Sequence, residues 1–85
     1  MELNLAGKTA LVTGSTRGIG LSIAKVLHTE GCRLALNGRN EIDLIHATSQ
    51  LSGAVGFAGD VTSPLEAQKI VQDVTNTFGK LDILI

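Results

Sequence analysis

Eight consecutive residues, Thr13-Gly14-Ser15-Thr16-Arg17-Gly18-Ile19-Gly20, limit the fold of this chain more than any other stretch. Ahead of them, Thr9-Ala10-Leu11-Val12 is an apolar run too short for a helix, bounded by Gly7-Lys8, and it reads as a strand buried on both faces. Behind them, Ile19, Ile23, Ala24 and Leu27 recur at helical spacing as far as Glu30-Gly31. The glycines therefore mark the handover from a strand to a helix. A turn that only joins two elements needs one glycine, and this one has three, spaced Gly-x-x-x-Gly-x-Gly.

A strand-to-helix junction of this kind suits a diphosphate. The first turn of a helix carries N–H groups with no intrahelical partner and the positive end of the helix dipole. At this junction Gly14 can take a backbone conformation that other residues avoid, Gly18 keeps the approach open, and Gly20 lets the helix lie close to the strands. The spacing is not the Gly-x-Gly-x-x-Gly of the standard dinucleotide fingerprint, so its placement between a strand and an amphipathic helix carries the argument. Ser15, Thr16, Arg17 and Ile19 complete the candidate phosphate-binding turn.

The rest of the chain repeats the same alternation. A first helix is expected over about 18–30, a second strand over Arg33-Leu34-Ala35-Leu36-Asn37, and a helix capped by Asn40 that runs to about Leu51. Ala54-Val55-Gly56-Phe57-Ala58 reads as a third strand, weakened by Gly56. Ser63-Pro64-Leu65-Glu66 is a capping box with proline at the first helical position, and Ala67, Ile70, Val71, Val74 and Phe78 then form one stripe that ends at Gly79. Residues 81–85 read as a fourth strand, and residues 2–7 as a short lead-in. The order βαβαβαβ with right-handed crossovers implies an α/β, doubly wound parallel sheet of the Rossmann-like kind, strand order 3-2-1-4, with residues 1–85 forming one unit.

The octet resembles the cofactor-binding motif Thr-Gly-x-x-x-Gly-Ile-Gly of the short-chain dehydrogenase/reductase family. The resemblance continues through Gly59-Asp60-Val61-Thr62 and Phe78-Gly79-Lys80-Leu81-Asp82-Ile83-Leu84-Ile85, and the chain looks like the N-terminal part of a reductase of the 3-oxoacyl-carrier-protein type. It implies the N-terminal part, about a third, of a Rossmann-type NAD(P)-binding domain, broken off inside the fourth strand. It further implies hydride transfer between a nicotinamide and a carbonyl or alcohol, a 3-oxoacyl thioester among the candidates, in a parent that is a homo-oligomer. In the family that chemistry uses a tyrosine, a lysine four residues later and a serine. This chain has no tyrosine and stops before the place of the family's Asn-Asn-Ala-Gly, so no catalytic residue is assigned.

The ends of the second and third strands bear on the choice of cofactor. Sites that choose NAD place an acid about 20 residues past the glycines, where it accepts from the ribose hydroxyls. Here that place reads Asn37-Gly38-Arg39-Asn40, without an acid. Arg39 offers a planar fork of donors to a 2′-phosphate, Arg17 can approach from the other side, and Ser15 can add a hydroxyl. The resemblance implies the same, since members with basic residues at these two places tend to use NADP(H), with NAD second. The competing reading is that both arginines are solvated surface charges. Asp60-Val61 lies on the same carboxyl edge; the resemblance implies that Asp60 accepts from the adenine amino group while Val61 packs on the ring, and the plainer alternative makes Asp60 a turn residue before Ser63.

Composition removes other classes. A net charge of −1 and two aromatics, both phenylalanine, give no electrostatic or stacking case for nucleic acid. One cysteine, Cys32, permits no intrachain disulfide and no cysteine metal cluster, which suits a reducing cytosol. The N-terminal residues lack the pattern of a signal peptide and no run reaches membrane-spanning length, so a cytoplasmic location is expected. His28 and His46 stand without a second ligand at metal spacing, Ser15 and Thr16 without a histidine partner, and Asp82 reads as a turn residue. Two other functions stay open: a non-catalytic nucleotide-binding or interaction module, and an α/β remnant without a ligand.

Overall fold

The computed structural model describes residues 4–85, so the first part of the expected lead-in lies outside the described residues. The elements are β1 (Thr9–Val12), α1 (Gly18–Thr29), β2 (Arg33–Gly38), α2 (Glu41–Ser49), β3 (Val55–Ala58), α3 (Pro64–Phe78) and β4 (Ile83–Leu84). They form one four-stranded sheet in the order β3-β2-β1-β4, with every pairing parallel. Thr9 pairs with Arg33 and Val12 with Leu36, while Ala10 faces Ile83.

The two central strands are buried on both faces, and their side chains alternate between two cores. Ala10, Val12, Leu34 and Leu36 point to the face covered by α1 and α2, where they join Ala24, Leu44 and Ala47. Leu11 and Ala35 point to the opposite face and meet Ile70 and Val74 of α3. Gly56 is what lets α2 approach β3: a Cβ there would lie 2.8 Å from Leu44 Cγ. The glycine expected to weaken this strand therefore admits its helix.

Helix ends follow the local signals. Asn40 Oδ1 accepts from the amides of Ile42 and Asp43 at 2.9 and 3.1 Å. Gly79, at φ 84°, closes α3 in the left-handed conformation. Ser63 caps α3 as expected, but the capping box is only half made. Glu66 Oε1 turns from the Ser63 amide to accept from Asp60 N at 3.1 Å, because Ser63 N already donates to the Asp60 carbonyl at 3.1 Å.

The fourth strand is shorter than expected, with only Ile83–Leu84 in regular pairing. Its flanks still bond to β1, through Asp82 N to the Thr9 carbonyl and Ile85 N to the Leu11 carbonyl, each 2.9 Å. Having a neighbour on one side only, it forms less ladder than the central strands. Among the described residues, no helix is long and apolar enough to cross a membrane.

Candidate dinucleotide site

All strands of a parallel sheet present their carboxyl ends on one edge, and on this edge the segments after β1, β2 and β3 enclose a cleft of about 370 Å³. That lies within the usual range for small-molecule sites, roughly 300–1,000 Å³. Of the residues singled out from sequence, Gly14, Thr16, Arg17, Asn37, Gly38, Arg39, Asp60 and Val61 line it. Ser15, Gly18, Ile19 and Gly20 lie in the same turn but outside the lining.

The glycine turn leaves its backbone open at the start of α1. Gly14 and Gly18 stand at φ 57° and 62°, conformations that strain any other residue, and a Cβ at either would point into open space. Gly20 acts differently. A Cβ there would run into the Gly14 carbonyl, so this glycine brings α1 down onto the turn. Arg17 occupies the N-cap position in extended backbone and contributes no side-chain cap. The first-turn amides of α1 therefore have neither an intrahelical acceptor nor a capping side chain, and they form a ready anion site.

Ser15 serves the turn from below. It is fully buried, and its hydroxyl donates to the Val12 carbonyl at 2.7 Å and accepts from Asn37 N at 3.0 Å. The hydroxyl expected to reach a phosphate is thus turned inward, because two strand ends need it. Asn37 is also buried: Oδ1 accepts from Gly14 N, while Nδ2 donates to the carbonyls of Phe57 and Gly59. Ile19 is 81% exposed at the start of α1.

At the far side of the cleft, Asp60 is held in an Asx turn. Its Oδ1 accepts from Thr62 N at 2.9 Å and Thr62 Oγ1 at 2.6 Å. These bonds, the hydroxyl first, and then the charge of Arg39, hold its carboxyl below the usual carboxylate range. Its other oxygen lies 3.6 Å from the Arg39 guanidinium, so Arg39 reaches across the mouth of the cleft. Asp60 is thus the turn residue of the plainer reading, and it also lines the cleft.

Asn40, Asp43, Gly59 and Thr62 also line the cleft and were not among the expected cofactor-binding residues. Thr62 had a legible signal, since Asp-x-Thr is an Asx-turn pattern. Asp43 had none, because it reaches the cleft only through the angle at which α2 leaves β2. Among the described residues, no group of three or more His, Cys, Asp or Glu is placed to hold a metal ion.

A glycine turn, an uncapped helix start and a basic group at the end of β2, on one edge of a parallel sheet, form the arrangement at which doubly wound α/β proteins hold dinucleotides. The family model described as short chain dehydrogenase matches residues 8–85, and the chain belongs to that family. It is similar to D-beta-hydroxybutyrate dehydrogenase of Cupriavidus necator, with 41% identity over 85 residues that take in 95% of this chain and 33% of that protein. Among solved structures it resembles L-sorbose reductase from Gluconobacter frateurii, complexed with NADPH and L-sorbose, with a TM-score of 0.93, 35% identity, and coverage of 99% of this chain and 34% of that one. It also resembles 3-ketoacyl-(acyl-carrier-protein) reductase from Brucella melitensis, complexed with NADH, with a TM-score of 0.89, 28% identity, and coverage of 95% and 34%. The chain thus spans about a third of the length of these relatives.

Proposed function

We propose that this chain is the cofactor-holding segment of a longer oxidoreductase that moves hydride between a nicotinamide dinucleotide and a carbonyl or alcohol. The observation that carries this reading is the glycine turn over the uncapped start of α1, opening into a cleft shared with Arg39 and Asp60. The family membership and the reductases it resembles support it.

In this reading the amides of α1 and of the glycine turn hold the diphosphate, with Gly14 and Gly18 giving it room. Asp60 faces the adenine, and Val61 supplies an apolar wall beside it. Arg17 and Arg39, both lining the cleft at its open side, take the 2′-phosphate, so NADP(H) is preferred to NAD(H). The bound dinucleotide supplies the hydride donor or acceptor, and proton transfer falls to residues outside this chain, which has no tyrosine. The likeness to a 3-ketoacyl-carrier-protein reductase supports a 3-oxoacyl thioester as substrate.

Calorimetric titration of the folded chain with NADP⁺ and NAD⁺ tests the reading. Saturable binding with NADP⁺ preferred is expected. A folded chain that binds neither overturns it, and turns attention to an interaction module that works through the exposed apolar residues Leu84 and Ile85.

A further inference from the structure

We propose that Asn37 is a positioning residue of the dinucleotide site, its side-chain amide tying the glycine turn to the loop that carries Asp60. The proposal rests on the reading of the cleft as a dinucleotide site.

Asn37 is only 2% exposed. Its Oδ1 accepts from the Gly14 amide at 3.2 Å, and Nδ2 donates to the carbonyls of Phe57 at 3.1 Å and Gly59 at 3.2 Å. The orientation of the amide follows from its neighbours. Two carbonyl oxygens face one end and an N–H faces the other, so only a donor toward β3 and an acceptor toward the turn satisfies all three. Both hydrogens of Nδ2 are thereby used. Although Asn37 borders the cleft, its amide is committed to the protein and acts through Gly14 and Gly59.

Topology explains why one side chain has this task. β2 lies between β1 and β3, so no sheet pairing joins the turn after β1 to the loop after β3. Asn37, next to last in β2, reaches both. Among the described residues, no other hydrogen bond is made by the Gly14 amide. Its main chain adds a second tie to the same turn, since the Asn37 carbonyl accepts from Ser15 N at 2.9 Å. The far end of the strut precedes Asp60 directly, so the phosphate and adenine ends of the cleft are referenced to one buried group.

Small changes at this position lose the pattern. Aspartate has the same shape but sets a second acceptor against two carbonyls, leucine removes all three side-chain bonds and leaves the Gly14 amide without its acceptor, and serine is too short to span them. Lowering the pH returns a proton to an aspartate at this position, and with it a donor toward β3.

The test is calorimetry and circular dichroism on the full-length protein that carries this segment, wild type and Asn37→Asp, each well below its unfolding midpoint. The expected result is a Kd for NADP⁺ and for NAD⁺ raised at least about tenfold in the variant near about pH 8. The loss shrinks as pH falls toward about 5, with no such recovery in the wild type. A merely structural role lowers the unfolding midpoint and leaves the Kd and its pH dependence unchanged, which overturns the proposal.

If the variant does not fold, hydrogen exchange on the wild type without nucleotide decides. Protection of the Gly14 amide comparable to that of Leu11 and Val12 supports the strut, and exchange at open-loop rates overturns it. Wild type that binds no nucleotide overturns the dinucleotide reading itself. Wild type and variant that bind equally well overturn the positioning role alone.

Discussion

In the proposed site Arg39 has two partners. Its side chain is 78% exposed and lies 3.6 Å from Asp60, a solvated pair that salt screens readily. A 2′-phosphate offers it a doubly charged, three-oxygen acceptor in place of one carboxylate oxygen, and the exchange favours the phosphate. Replacing Arg39 with aspartate removes that donor fork and sets two acids at the mouth of the cleft. Binding of NADP⁺ should fall about tenfold more than binding of NAD⁺. Equal losses in parallel titrations would show that Arg39 does not read the phosphate. Thr9 makes a separate residue-scale case: it is fully buried, and its hydroxyl oxygen has no hydrogen-bond partner among the described residues. The isosteric Thr9→Val change removes an unpaired polar group without opening a cavity and should stabilise the chain by about 1 kcal/mol. A lower urea midpoint in the variant would mean that the hydroxyl is satisfied after all.

Among the elements, β4 is the least secured, and its anchor is electrostatic. Asp82 accepts from Thr9 N at 2.8 Å and lies 3.3 Å from the Lys80 ammonium. The Thr9 amide first, and then Lys80, hold its carboxyl below the usual range. A carboxyl depressed in the folded state contributes stability above its unfolded pKa, about 3.9, and loses it as pH falls through the folded value. In Asp82→Asn the acid-induced fall in stability below about pH 4 should therefore be shallower than in wild type. Urea midpoints that decline in parallel for the two proteins would exclude this role. The same region marks where sequence stopped being legible. The helices and their caps could be read because each rests on short-range spacing, as in Ser63-Pro64 and Asn40, and the strand order followed from the alternation of elements with right-handed crossovers. Other features depend on contacts between distant segments. The inward turn of the Ser15 hydroxyl needs β2 beside β1, and the redirected Glu66 needs the Asp60 amide in reach. Asn37 was singled out as a site residue, but nothing local shows that its amide spans two loops.

Across the whole molecule the two faces of the sheet are unequally covered. On the face with α3, Leu84 is 62% exposed and Ile85 45%, beside Val71 at 37%. Together with Leu11 and Ile70 these side chains border a groove of about 270 Å³. An apolar surface of this kind binds dyes and promotes self-association. The double change Leu84→Lys, Ile85→Lys should reduce binding of an environment-sensitive naphthalene dye severalfold and shift sedimentation toward the monomer. Unchanged dye binding would locate the apolar surface elsewhere. The amino edge of the sheet differs again. There Arg33 donates to the Phe78 carbonyl at 3.2 Å and stacks 5.0 Å from its ring, and Asp82 holds β4. These ties lie at the opposite ends of the strands from the cleft. A fluorophore or surface tether placed on exposed Thr77 would therefore report on the molecule, or immobilise it, while leaving nucleotide entry unobstructed.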